Sequence, residues 1–293
     1  MEEALGVSWA YGGYSDRGQG SLRAMGSLGQ PVVYGYVMAV TIGLFLYLRK
    51  SVAKTAWHLG LALLITGLIA SLSRGPWVGA IALLLIFIAT GPFPAKGFLK
   101  LGLFGVVIVP LLLVTPAGQS IIDLLPFIGT VQADNVAYRQ QFTEISIRFI
   151  LEHPWFGAYD YLYAPEMDVL KPQGLLDTLN VFLTVGLGSG LIGMSIFSGA
   201  FIVAAIETFR AMRNQADRNG ELYLLGQALL STLLCIVVTN CTISGILIIP
   251  VIYWSVIGLC VAYARMLARA EIPAKTSEAA KPPRFQPMVI QNR

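Results

Sequence analysis

The sequence predicts an all-α integral membrane protein of about seven transmembrane helices, with one large external loop between the fourth and fifth that carries an amphipathic helix. Three observations predict it. Hydrophobic residues fill 56% of the 293 positions and charged residues only 12%, whereas soluble domains average about 25% charged residues. Mean hydropathy is +0.69, and the apolar positions gather into seven runs, most of them near the ~20 residues that a helix needs to cross a bilayer. A polar stretch, about residues 116–176, separates the fourth run from the fifth.

In chain order, residues 1–31 are rich in Gly, Ser and Tyr and form an external polar segment. The apolar runs then cover residues 32–48, 56–72, 77–90, 98–115, 177–209, 222–243 and 246–263, within a membrane domain of residues 32–264. Ser73-Arg74-Gly75-Pro76 breaks the second run from the third. The fifth run is longer than a span requires, so its first part tilts or lies outside the bilayer core. Residues 265–293 are basic, contain Pro and read as a disordered cytoplasmic tail. Cys235, Cys241 and Cys260 all lie in apolar runs, as small buried side chains without a disulfide or metal pattern.

Net charge is +4. In a membrane chain such a surplus is mostly a topology signal, so it does not point to nucleic acid. Seven alternating spans put fourteen of the 20 basic residues on one side: Arg49, Lys50, Lys54, Lys96, Lys100, Arg210, Arg213, Arg218, Arg265, Arg269, Lys275, Lys281, Arg284 and Arg293. By the positive-inside rule that side is the cytoplasm, and the long loop is external. Residue 1 is then external in a chain whose acidic start, Met-Glu-Glu, has no signal-peptide pattern. The expectation is that upstream spans are missing and that the chain is the carboxy-terminal part of a larger protein.

The loop helix is read over residues 135–153. Asp134 or Asn135 caps its start, Phe142, Ile145 and Phe149 make its apolar stripe, and Pro154 stops it at His153. Its two arginines differ. Arg148 has Glu144 four residues before it and Glu152 four after, the spacing of helical ion pairs. Arg139 has Asn135 and Thr143 in those places and lies on roughly the opposite face. Two readings of Arg139 stand: its planar fork grips an anion, or it pairs with a distant acid or faces water.

Arg23, Arg74 and Arg139 lie on the external side without an obvious local acid. Arg74 is at a hairpin apex near the membrane surface. An arginine at that depth is costly unless it is paired; the alternative is that it snorkels to lipid phosphates. Three converging guanidiniums would suit a lipid-linked diphosphate. Gly188-Ser-Gly190-Leu-Ile-Gly193 has the spacing of a dinucleotide fingerprint but lies in an apolar run with no preceding strand, so helix packing is the better reading. His58 falls at the cytoplasmic end of a span. His153 is on the loop side, as a structural residue beside Pro154 or as a group in the chemistry. Asp160, Glu166, Asp168 and Asp177 are available as a general base or as solvated acids. No cluster with metal-ligand spacing is visible.

Several motifs then fall in a telling order. They are Arg23-Ala-Met-Gly-Ser-Leu-Gly-Gln-Pro, Ser73-Arg74-Gly75-Pro76-Trp77, and Arg139 followed by Glu152-His153-Pro154-Trp155-Phe156-Gly157. Asn180-Val-Phe-Leu-Thr-Val-Gly-Leu-Gly-Ser-Gly-Leu-Ile-Gly193 comes last. From about Arg23 to Tyr263 the chain resembles the O-antigen ligase and O-antigen or exopolysaccharide polymerase superfamily. The resemblance implies a multi-span bacterial inner-membrane glycosyltransferase. Such proteins move glycan from undecaprenyl diphosphate to a lipid or glycan acceptor on the periplasmic face, with no cofactor or metal. It implies that Arg74 and Arg139, and less directly Arg23, hold the diphosphate. The family's usual His before the Asn is here Leu179. The acceptor-activating role then passes to Asp177, or to His153. Two rivals remain: a non-catalytic subunit of a polysaccharide assembly or export complex, and a transporter or flippase. The latter needs charges at a midplane cavity, whereas the apolar runs are almost free of charge.

Overall fold

The computed structural model describes residues 14–16, 22–114, 133–170, 178–246 and 248–279. It is a helical bundle with one small hairpin. β1 (Tyr14–Asp16) and β2 (Leu22–Ala24) pair antiparallel, with Ser15 opposite Arg23. The polar segment expected before the first span therefore contains a short ladder.

α1 (Pro31–Phe45) opens with Pro31 in its first turn, where the missing N–H has no intrahelical partner to lose. It continues as a tighter helix to Lys50. α2 (Lys54–Ala70) and α3 (Arg74–Ala89) form a hairpin. Its break falls at residues 71–73, where Leu72 takes a left-handed φ of 46°. The expected break at Ser73-Arg74-Gly75-Pro76 moves two to three residues earlier, because Pro76 is tolerated in the first turn of α3. α4 (Pro94–Val114) follows, with Pro110 inside it. α5 (Ala133–Glu152) is the loop helix. It starts before the expected cap, which places Asp134 and Asn135 inside its first turn, where acidic and short polar residues suit the helix dipole. A short α6 (Pro165–Asp168) lies between α5 and α7 (Val181–Arg213). α8 (Glu221–Asn240) and α9 (Ile249–Ala279) complete the bundle.

Among the described residues, four helices are long and apolar enough to cross a membrane: Pro31–Lys50, Val181–Arg213, Glu221–Asn240 and Ile249–Arg269. The chain is a multi-pass membrane protein. The second and third expected spans correspond to α2 and α3, which have 17 and 16 residues, at the lower limit for crossing. The disordered tail needs correction as well. Residues 265–279 continue α9, in keeping with the good helix formers Ala, Arg, Met, Leu and Glu in that stretch. Residues 280–293 lie outside the described residues.

α8 is the central post, and buried residues fill 72% of its apolar window. On one side Leu224, Ala228 and Cys235 pack with Ala39, Leu68, Trp77, Leu83 and Phe87 of α1–α3. On the other, Leu233 and Ile236 pack with Tyr36, Val181, Phe197, Phe201 and Tyr253. Its buried hydroxyls bond back along the helix: Ser231 to the Gln227 carbonyl at 2.7 Å, Thr232 to Ala228 at 2.7 Å and Thr239 to Cys235 at 2.8 Å. With these groups satisfied, α1 and α3 approach closely through Gly43 and Gly79, which sit against Thr232 and Thr239. Small residues at such crossings drive helix packing where no hydrophobic effect operates.

Candidate functional site

Arg23 and Arg74 lie where α2 turns into α3, and Arg139 is linked to the same end of the bundle through Thr242. Arg23 comes from β2 and is half-buried. Its Nε donates to the Ser71 carbonyl at 3.2 Å and its Nη2 to Ser73 Oγ at 2.8 Å. The apex is itself tied down: Ser71 Oγ and Trp77 Nε1 donate to the Leu68 carbonyl at 2.6 and 2.8 Å. Arg74 is the next residue after Ser73 and the first of α3. A cation there opposes the helix dipole by about 0.3–1 kcal/mol, so the helix itself does not call for it.

Arg139 reaches the same place from α5. Its Nη1 donates to the Thr242 carbonyl at 3.1 Å. Thr242 follows the end of α8 and packs on Gly75: a Cβ added to Gly75 would lie 2.5 Å from Thr242 Oγ1. The residue that Arg139 grips therefore touches the neighbour of Arg74. The amino end of α7 borders this cluster, because Val181 packs at 3.5 Å from a Cβ built on Gly245. Asn180 Oδ1 caps that end, accepting from the amides of Phe182 and Leu183 at 2.9 and 3.2 Å.

α5 is held in place along its length. Phe142 and Phe149 are 1% and 5% exposed and pack with Ile150, Met167, Leu170 and Leu187. Ile145 is the half-buried edge of this face. On the other face Arg148 pairs with Glu144 at 3.2 Å. Tyr138 donates to the Leu170 carbonyl at 3.1 Å. Burial raises the Tyr161 hydroxyl pKa above its ordinary value; its ring lies 3.7 Å from a Cβ built on Gly188.

The turn after α5 explains the glycine-rich motif. α7 breaks at Gly190, with φ 64° and ψ −166°. Gly157, at φ 63°, faces it backbone to backbone. A Cβ on Gly157 would lie 2.5 Å from the Leu187 carbonyl oxygen, and one on Gly190 2.5 Å from the Trp155 carbonyl. Only glycine fits both the dihedrals and the space. The break leaves helical groups open, and the turn closes them: Ala158 N–H donates to the Leu187 carbonyl at 2.9 Å and Leu191 N–H to the Pro154 carbonyl at 2.7 Å. The Gly188-to-Gly193 stretch thus serves a helix break that receives a loop, where the sequence suggested helix packing.

His153 stays apart from the arginines. It lies fourteen positions beyond Arg139, roughly 21 Å along the helix at ~1.5 Å per residue. It is exposed, and its ring packs at a tilt against Phe149, with centroids 4.9 Å apart. Asp177 lies outside the described residues. Asp160, Glu166 and Asp168 are exposed. His58, also exposed, is near the start of α2, with Nδ1 2.6 Å from the Lys54 carbonyl oxygen, at the far end of that helix from the apex.

Two residues of the cluster escaped the sequence reading. Thr242 carries no charge to mark it. Asn240 is fully buried at the end of α8, and neither amide atom has a hydrogen-bond partner among the described residues. An asparagine inside an apolar run was the available signal.

Residues 59–198 match the family described as O-antigen ligase. The matched segment holds Arg74, Arg139, His153, Asp177 and the Gly157–Gly190 contact, and leaves out Arg23. No curated protein gives a significant match to the chain. Arg74, Arg139 and the loop helix that bears Arg139 thus fall within the match, and this central segment of the membrane chain is similar to the O-antigen ligase family.

Proposed function

We propose that the chain is a surface-polysaccharide ligase- or polymerase-type glycosyltransferase, moving glycan from undecaprenyl diphosphate to a sugar acceptor on the periplasmic face of the inner membrane. One observation carries the reading. Arg139 contacts Thr242, Thr242 packs on Gly75, and Arg23 contacts Ser73, so three guanidiniums from distant parts of the chain flank one apex. Guanidinium forks suit phosphate oxygens.

In the proposed reaction the acceptor hydroxyl attacks the anomeric carbon. The bond from that carbon to the diphosphate oxygen breaks, and the leaving diphosphate takes up negative charge. Arg74 and Arg139 stabilise that charge, the electrostatic contribution that is usually largest in such steps. Arg23 acts mainly by holding Ser71 and Ser73. The acceptor proton passes to a carboxylate, for which Asp177 is the candidate. His153 is disfavoured by its roughly 21 Å separation from Arg139 along α5. Leu179, in place of the family's usual His, keeps a non-catalytic assembly subunit as the second reading.

The test is transfer of lipid-linked glycan in membranes expressing Asp177→Asn or His153→Gln at matched protein levels. Loss with Asp177→Asn alone supports the assignment. Loss with His153→Gln alone overturns it. Full transfer by both variants overturns the proposed base.

A further inference from the structure

Four aromatic side chains following α5 stand out from the protein. Trp155, Phe156, Tyr159 and Tyr163 are 67%, 77%, 91% and 85% exposed. Leu151, one turn before Trp155, adds 67% exposure. Contiguous exposed apolar surface of this kind marks an interaction site, and the diphosphate chemistry does not use it.

Its depth follows from the contact with α7. The Trp155 carbonyl abuts Gly190, and the Pro154 carbonyl accepts from Leu191 N–H. From Gly190 to Arg210 the helix rises roughly 30 Å at ~1.5 Å per residue, and the hydrocarbon core is ~30 Å thick. With Arg210 and Arg213 in one headgroup layer, Gly190 and its docked turn lie at the opposite boundary. The patch is also continuous with the apolar outer surface of that span. Leu191, Ile192 and Ile196 are 41%, 40% and 71% exposed immediately below the break. α5 is pinned at its other end to Thr242, just beyond Asn240 of the spanning helix α8. One anchor thus falls at the end of the spanning helix α8 and the other at the break in α7, and α5 runs along the bilayer surface between them.

We propose that Trp155, Phe156, Tyr159 and Tyr163 form an interfacial anchor seated in the headgroup layer of the outer leaflet, with lipid as its occupant. Trp and Tyr favour that layer because the ring is apolar and its polar edge stays wet. The anchor holds α5 level with the membrane surface and keeps Arg139 at the depth of lipid phosphates. The inference rests on the multi-pass membrane placement and not on glycan transfer.

The test uses the full chain in phosphatidylethanolamine/phosphatidylglycerol nanodiscs without donor. Cys241 is the exposed native thiol and Cys235 and Cys260 are buried, so Cys241→Ser provides the background. Nitroxides are placed through Phe156→Cys, Tyr159→Cys and, on the exposed polar face of α5, Gln141→Cys. Labels at 156 and 159 should collide with oxygen several-fold more than with a water-soluble nickel chelate, relative to the label at 141. Nickel accessibility equal to that at 141 for both labels overturns the proposal and leaves the patch facing water. So does immobilisation of these labels by added lipid-linked glycan but not by the bilayer, which would make the patch a glycan platform. Glycan transfer is not read in this measurement, so failure of the catalytic reading leaves it intact.

Discussion

Arg139 donates a hydrogen bond of 3.1 Å to the carbonyl of Thr242, 103 positions further along the chain. That contact joins the loop helix to the end of α8 beside Gly75 and Arg74. On the proposed reading the same guanidinium also binds the diphosphate. Arg139→Lys keeps the charge and loses the planar geometry. A charge-assisted hydrogen bond is worth about 1.5–3 kcal/mol, so glycan transfer should fall roughly 10- to 100-fold. Arg148→Lys should be nearly silent, because its pair with Glu144 is exposed and such pairs contribute only about 0.3–0.5 kcal/mol. Transfer in membranes at matched protein levels reads both. If Arg148→Lys alone is damaging, the two faces of α5 have been assigned in reverse.

The Gly157–Gly190 contact predicts a second asymmetry. Alanine at either position meets a left-handed φ, costing about 1–2 kcal/mol, and a backbone atom at about 2.5 Å. Each substitution should lower thermal stability in detergent by several degrees or abolish the monodisperse species. Gly199 on α7 has nothing within 4 Å of an added Cβ, so Gly199→Ala should leave stability unchanged or slightly raised. Equal behaviour of the three variants would remove the interlock from the account.

Burial of Phe142 predicts how firmly α5 is held. Its side chain is 1% exposed against Met167, Leu170 and Leu187. Phe142→Ala should cost about 3–5 kcal/mol of that docking, and Phe142→Leu much less. Hydrogen exchange along α5 reads the difference: amides protected in the parent chain should exchange faster in Phe142→Ala. Unchanged protection would mean that other contacts dominate.

What the sequence could and could not reveal has a physical pattern. Local periodicity is legible, so the Phe142 and Phe149 stripe and the Arg148–Glu144 pair are found where spacing puts them. Helix existence is legible from the apolar runs. Breaks are less so: Gly190 interrupts α7 inside continuous apolar sequence, and the α2–α3 apex lies before the Gly-Pro pair. Long-range partners are illegible, since nothing local to Arg139 names Thr242. Asn240 shows only as a polar residue among apolar ones; its full burial depends on packing across α8.

Topology offers an independent check of the orientation on which the periplasmic assignment depends. A reporter fused after Arg269 should be cytoplasmic, and one inserted near Glu166 external, from the fourteen-to-six division of the basic residues. Both reporters on one side would overturn the seven-span arrangement.

The last prediction separates stability from function at Asn240. Its side chain is 0% exposed, and both amide atoms lack a hydrogen-bond partner among the described residues. A buried amide left in that state costs about 1–3 kcal/mol relative to a satisfied one. Replacing it by an apolar side chain of similar volume removes that cost. Asn240→Leu should therefore leave thermal stability unchanged or raise it. Asn240 precedes Thr242 by two residues, beneath the carbonyl that Arg139 grips. If the amide meets a phosphate or sugar oxygen during transfer, Asn240→Leu lowers transfer while stability holds, the trade expected where a site keeps a group that folding does not need. Thermal unfolding in detergent and transfer in membranes, measured on the same variant, separate the cases. Loss of stability with loss of transfer would make Asn240 a structural residue; gain of stability with full transfer would remove it from the site.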